Sequence, residues 1–210
     1  MVRIPLVTPN DLTPEQRPVY DRIFHGLGSP LVGPLRAVLH IPELADRWQN
    51  LGQYWQHHTV LTPRQKEVAV LVTARHWNAQ IEWFQHEQRA HKAGLDRDVI
   101  EAIRTGHPPV FADSGEQCVY EYARELHAQG QVSQGTYTAT LEALGRDGVV
   151  DLTALLGFYT MVSMMLNAHG IPMLDDVPSP LAVADEYRFT ALPPAAAKTS
   201  TAQEKKVGEM

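Results

Sequence analysis

The sequence predicts an all-α domain, and three observations predict it. Across the 210 residues, apolar positions recur at spacings of three and four, Thr-Pro pairs precede periodic runs, and glycines such as Gly94 and Gly106 follow them. No segment alternates convincingly with the strand period of two.

The opening residues to about Pro9 hold two prolines among apolar residues and read as an extended arm lying over a neighbouring surface. Thr13 has the chemistry of an N-cap, with Pro14 at the first helical position and Gln16 completing a capping box, so a helix is expected to run to about Phe24. Residues 25–34, HGLGSPLVGP, carry three glycines and two prolines and form a loop that could cover a pocket. From Pro42, the positions Leu44, Trp48, Leu51, Tyr54 and Trp55 predict a helix ending near His58. Thr62-Pro63 restarts the pattern, continued by Val68, Leu71, Val72 and Arg75 toward Trp77. A further helix, roughly Ala79 to Ala93, is stopped by Gly94, and Asp96 caps a short one ending at Gly106. Helical spacing returns near 114–128, 133–145 and 148–168. Residues 192–210, rich in Ala, Pro, Lys, Thr and Glu, offer little to bury and are expected to be a disordered tail behind a single domain spanning 1–191.

Charge and cysteine content narrow the function. Eighteen basic against twenty-four acidic residues give a formal charge of −6, which argues against a nucleic-acid partner. The lone Cys118 allows neither an internal disulfide nor a Cys-x-x-Cys redox pair. The N-terminal sequence lacks the pattern of a signal peptide, and no window approaches eighteen consecutive apolar residues, so a cytoplasmic protein without membrane contact is expected.

Reactive side chains are densest in residues 62–95, where Glu67, Arg75, His76, Glu82, His86, Glu87 and His91 fall on two consecutive helices. Glu82 and His86 lie one turn apart on one face, and Glu87 and His91 lie one turn apart about 140° further round, so only one pair can face the core. Ile81, Phe84 and Gln85 flank the first pair, whereas Gln88 and Lys92 extend the second into a polar stripe; the first is the better buried candidate. A buried carboxylate can hold an imidazole in one tautomer, as general acid–base work near neutral pH requires. The simpler reading of the same spacing is a helix-surface Glu/His pair. Neither His-Glu-x-x-His nor a repeated Glu-x-x-His occurs, so no metal and no cofactor is expected. No Gly-x-Ser-x-Gly elbow is present, and Cys118 sits in a helical run where a small core residue belongs. Tyr159, Asn167 and His169, in an apolar and Met-rich run that otherwise reads as core or subunit interface, could line a pocket.

Residues 61–103, LTPRQKEVAVLVTARHWNAQIEWFQHEQRAHKAGLDRDVIEAI, resemble the carboxymuconolactone decarboxylase-like superfamily, which also contains alkyl hydroperoxidase D. The likeness extends weakly through PLRAVLHIPELADRWQNLGQY and GVVDLTALLGFYTMVSMMLNAHGIP, covering about three quarters of the chain. It implies an all-helical, alkyl hydroperoxidase D-like domain built around a helical hairpin, assembled as trimers or hexamers. The peroxidase branch of that family carries a Glu and then Cys-x-x-Cys-x-x-x-His. Counting back from His86 places Ala79 and Glu82 at the two cysteine positions and matches Glu67 to the upstream acid. A dithiol peroxide cycle needs an attacking and a resolving thiol, so thiol peroxidase activity is not expected. The decarboxylase branch has Glu-x-x-x-His here, which Glu82 to His86 fits.

The resulting expectation is a cofactor-independent acid–base enzyme acting on a small carboxylated lactone or keto acid, with decarboxylation as the leading reaction. His86 is the expected proton donor, Glu82 its orienting carboxylate and Glu67 the end of a relay. Arg75 is expected to anchor a substrate carboxylate, while Trp83 and Tyr54 supply apolar walls. Lactone hydrolysis or isomerisation could use the same residues, and a non-catalytic, small-acid-binding oligomeric helical module is the alternative from a different class.

Overall fold

The computed structural model describes residues 2–27, 33–173, 177–182 and 189–197. The described residues form eight helices and no strand: α1 (Gln16–Leu27), α2 (Leu35–Val38), α3 (Pro42–His57), α4 (Pro63–His76), α5 (Gln80–Ala93), α6 (Arg97–Thr105), α7 (Ser114–Gln129) and α8 (Gln134–His169).

Local chemistry accounts for the boundaries. Thr62 accepts from the Gln65 amide while the Gln65 side chain accepts from the Thr62 amide, a reciprocal box that starts α4 with Pro63 at its first position. Asp96, Asp113 and Ser133 cap α6, α7 and α8 through side-chain oxygens. Thr13 and Gln16 make the expected reciprocal bonds, although regular helix begins at Gln16. That helix continues to Leu27, past the expected end at Phe24; the rest of the expected loop lies partly outside the described residues, and its end runs into the short α2, which spacing did not predict.

The chain is organised about α4. Val68, Ala69, Val70, Leu71, Val72 and Ala74 are all essentially inaccessible, because α5, α6, α7 and α8 surround the helix. Full burial of each Val or Leu contributes about 1.5–3 kcal/mol before entropy is counted. Arg64 and Glu116, 2.6 Å apart, join the start of α4 to α7. Asn78 takes a left-handed conformation, φ 51°, and reverses the chain so that α5 returns along α4 as an antiparallel hairpin.

The two late helical segments meet within α8 at a break at Gly145, whose non-helical φ of 72° and ψ of 177° are open to glycine and strained for other residues. Asp151, beyond the kink, accepts from the Thr59 hydroxyl at 2.6 Å and the Val60 amide at 2.8 Å, fastening the α3–α4 link to α8. By length and composition α8 could cross a membrane, but 56% of its most apolar window is buried against the rest of the chain.

The described segments nearest each end lie on the body. Arg3 donates its amide to His169, Val7 to Arg36, and the His40 ring meets the Pro5 carbonyl at 2.7 Å. At the other end, the expectation of a tail from residue 192 is corrected for residues 192–197. Leu192 is buried, Tyr120 donates to the Pro193 carbonyl, and the amides of Ala195 and Ala196 donate to Glu121 and Pro109. Backbone groups satisfied by fixed partners hold this strap, which composition alone does not reveal. The remainder of the expected tail, 198–210, lies outside the described residues.

Candidate active site

The α4–α5 hairpin brings two carboxylates and an imidazole together. Glu67 is on α4; Glu82 and His86 occupy one face of α5 a turn apart, and all three are buried, with His86 only 1% exposed. Glu87 is partly exposed and His91 is exposed, which leaves the Glu82/His86 face as the inward one.

The hydrogen bonds assign roles different from those the spacing suggested. His86 Nδ1 donates to Glu67 Oε2 at 2.6 Å, so Glu67 rather than Glu82 orients the ring. Lys66 Nζ stands 3.9 Å from the other Glu67 oxygen and sets positive charge beside it. On the far side of the ring, Arg89 Nη1 lies 3.1 Å from His86 Nε2. A guanidinium can only donate, so Nε2 is the acceptor and the imidazole carries its proton on Nδ1. Tyr159 from α8 sets its ring edge-on to His86, centroids 4.9 Å apart, and its hydroxyl bonds to Arg89.

Glu82 makes no hydrogen bond among the described residues. Burial pushes its carboxyl above the usual carboxylate range, opposed by the positive charge of Arg89 and any on His86, and no hydrogen bond offsets it. Burial likewise raises the Tyr159 hydroxyl, which therefore stays protonated. The cluster thus holds a carboxyl biased toward its acid form beside an imidazole locked in one tautomer, the pairing that proton transfer requires.

Three other expected site residues go elsewhere. Arg75 donates to the Arg104 carbonyl at 2.8 Å, to Thr190 at 2.7 Å and to Asn78, pinning the α4–α5 turn to the C-terminal strap. Desolvation lowers its pKa without freeing it for a substrate at His86. Trp83 is fully buried and donates its indole N–H to Glu87. Tyr54 lines an open cavity of about 660 Å³ between α3 and α8, with Leu51, Trp55, Asp151, Phe158 and Met161. Of the other pocket candidates, Tyr159 reaches the cluster, whereas Asn167 donates to the Trp77 carbonyl.

Arg89 is the residue that the sequence reading missed. Its signal is the spacing Glu82, His86, Arg89, which places all three on one helical face. Cys118 lies on α7 with its thiol toward the Ala139 carbonyl, and burial raises its pKa, the opposite of an activated thiolate. Among the described residues no three His, Cys, Asp or Glu side chains gather as metal ligands.

No protein-family model matches the sequence. No curated protein matches it either. Solved structures do resemble the fold. The debrominase Bmp8, as a Cys-to-Ala variant in complex with 2,3,4-tribromopyrrole, superposes with a TM-score of 0.67 at 12% identity, covering 84% of this chain and 92% of that one. The apo form of Bmp8 gives 0.66, also at 12%, over 83% and 92%. An uncharacterised peroxidase-related protein from Silicibacter sp. TM1040 gives 0.66 at 12% identity, over 81% and 91%. The fold is therefore all-helical and alkyl hydroperoxidase D-like, and at this identity the likeness speaks to fold alone.

Proposed function

We propose that this protein is a cofactor-independent acid–base enzyme acting on a small carboxylated lactone or keto acid, with decarboxylation as its leading reaction. The observation that carries the proposal is the buried 2.6 Å bond between His86 Nδ1 and Glu67, made beside a buried Glu82 whose carboxyl is pushed above the usual carboxylate range by burial. Loss of carbon dioxide from such a substrate leaves the bonding electrons in an enolate. The Glu82 carboxyl supplies the proton that quenches the carbanion, and the Glu67-oriented imidazole, accepting at Nε2, relays a proton from water back to Glu82. Glu67 thus takes the orienting role expected of Glu82, and Glu82 takes the proton-donor role expected of His86.

Hydrolysis of a lactone or a proton shift alpha to a carbonyl would call on the same groups, and the product distinguishes them. A thiol peroxidase cycle is not part of the proposal, because Ala79 and Glu82 stand where that chemistry needs sulfur. Assembly into homo-oligomers belongs to it: Leu51, Tyr54, Val150, Met161 and Met164 leave apolar surface exposed on α3 and α8, which supports a subunit contact there. A cytoplasmic setting, with no nucleic-acid partner, completes the reading.

The test is a mass-spectrometric screen of the protein and its His86→Gln variant against carboxylated lactones, β-keto acids and simple lactones, without added metal. Loss of carbon dioxide with the parent alone supports decarboxylation; gain of water with the parent alone supports the hydrolase. Equal turnover by both proteins removes His86 from the chemistry.

A further inference from the structure

Among the described residues, the cation in contact with the imidazole of the buried cluster comes from the surface. Arg89 is an exposed residue, yet its guanidinium reaches inward to His86 Nε2 at 3.1 Å and to the Tyr159 hydroxyl. Nε2 is the only ring nitrogen left for a substrate, because Nδ1 is committed to Glu67. A proton acceptor whose lone pair already receives a guanidinium N–H is blocked. Glu82, buried and without a hydrogen bond, lies on the same face of α5 beneath this cap.

From this arrangement we propose that Arg89 is an anion-operated gate: a substrate carboxylate draws the guanidinium off His86 Nε2 and is held by Arg89 and the Tyr159 hydroxyl. The physical basis is competition for one donor. Binding to a neutral imidazole nitrogen is a weaker hold on a guanidinium than a charge-assisted, two-pronged bond to a carboxylate. The long side chain is free on its solvent side, so it can swing with little cost to the core. The ligand class follows as a small organic anion; an uncharged analogue leaves the gate shut. The inference rests on the acid–base reading of Glu67 and His86 for its purpose, and on the Arg89 geometry alone for its binding.

The experiment uses the full chain with ¹⁵N-labelled histidine and two probes, 5-oxotetrahydrofuran-2-carboxylate and its methyl ester. Calorimetry gives affinities, and the His86 Nε2 resonance reports the bond to Arg89. The carboxylate is expected to bind and shift Nε2, with the ester about 10- to 100-fold weaker. Arg89→Gln should reduce carboxylate affinity to the ester's level, Arg89→Lys should restore part of it, and Tyr159→Phe should weaken it less. Wild-type affinity in Arg89→Gln, an unmoved Nε2 resonance at saturation, or failure of the folded parent to bind the carboxylate at millimolar concentration overturns the gate. The two readings separate cleanly. Binding with the Nε2 shift but no His86-dependent turnover keeps the gate and removes the chemistry; His86-dependent turnover with unchanged Arg89→Gln affinity does the reverse.

Discussion

Glu67 and His86 are nineteen residues apart in the chain and 2.6 Å apart in the fold. The distance is set by the α4–α5 hairpin and not by either side chain's neighbours in sequence. Replacing Glu67 by Ala leaves the Nδ1 proton of a buried imidazole without an acceptor, at a cost of about 1–3 kcal/mol. Glu67→Gln keeps an acceptor oxygen and loses the charge. Turnover on whichever substrate the screen identifies is expected to fall about 10²- to 10⁴-fold in both variants, with thermal stability lost mainly in the Ala variant. Equal loss of stability in both would show that charge, not the hydrogen bond, holds the pair.

Glu82 has the opposite energetic sign. Its folded pKa is raised by burial, so its contribution to stability is fully present below the unfolded pKa of a glutamate and is lost as pH rises through the folded value. Glu82→Gln is therefore expected to raise the melting temperature at pH 7 and to leave it nearly unchanged at pH 4 and below. The same variant should lose activity, since it removes the proposed proton source. A lower melting temperature at pH 7 would mean that the carboxylate has partners in solution.

A second pH effect comes from the far end of α4. The His127 ring stacks on His76 with centroids 4.8 Å apart, and Phe189 covers the other face of His76. Thr73 Oγ lies 2.9 Å from His127 Nε2, and Arg124 lines the same small recess. Burial, with the neighbouring His76 charge, pushes His127 down to about 3. The unfolded chain takes up the proton first, so stability is complete above about pH 6.5 and declines on acidification toward pH 3, by up to about 1.4 kcal/mol per pH unit. Denaturant melts of the parent and His127→Gln across this range check it: the variant's curve should be flatter.

Asp151 supplies a prediction for the scaffold alone. Asp151→Ala removes the acceptor of both the Thr59 hydroxyl and the Val60 amide. A loss of about 1–3 kcal/mol is expected, read as a lower denaturation midpoint with unchanged m value.

How much of this was legible in sequence differs by level. Caps and glycine stops act locally, so Thr62, Asp96, Gly94 and Gly106 marked helix ends directly. The inward face of α5 was legible as well, because spacing and flanking apolar residues fix which pair turns to the core. What joins across helices was not. That Glu67 accepts the hydrogen bond from His86 Nδ1, that Arg75 turns to Thr190, and that Tyr54 faces a different cavity all depend on how α4, α5 and α8 are rotated against each other. Arg89 was missed because a surface position and an inward reach coexist only in a long side chain. The strap at 189–197 was missed because most of what fixes it is backbone, which composition does not encode.

The position of α4 also dictates a schedule. Its apolar band, Val68 to Ala74, is shielded by α5 soon after synthesis but also needs α7 and α8, and the latter ends at His169. While the chain leaves the ribosome, that band stays uncovered until most of the protein has been made, and the distant pairings that cover it are the slow ones to form. A chain interrupted within α8 is therefore expected to be recovered in aggregates rather than as a smaller folded domain, as the solubility of truncated chains would show.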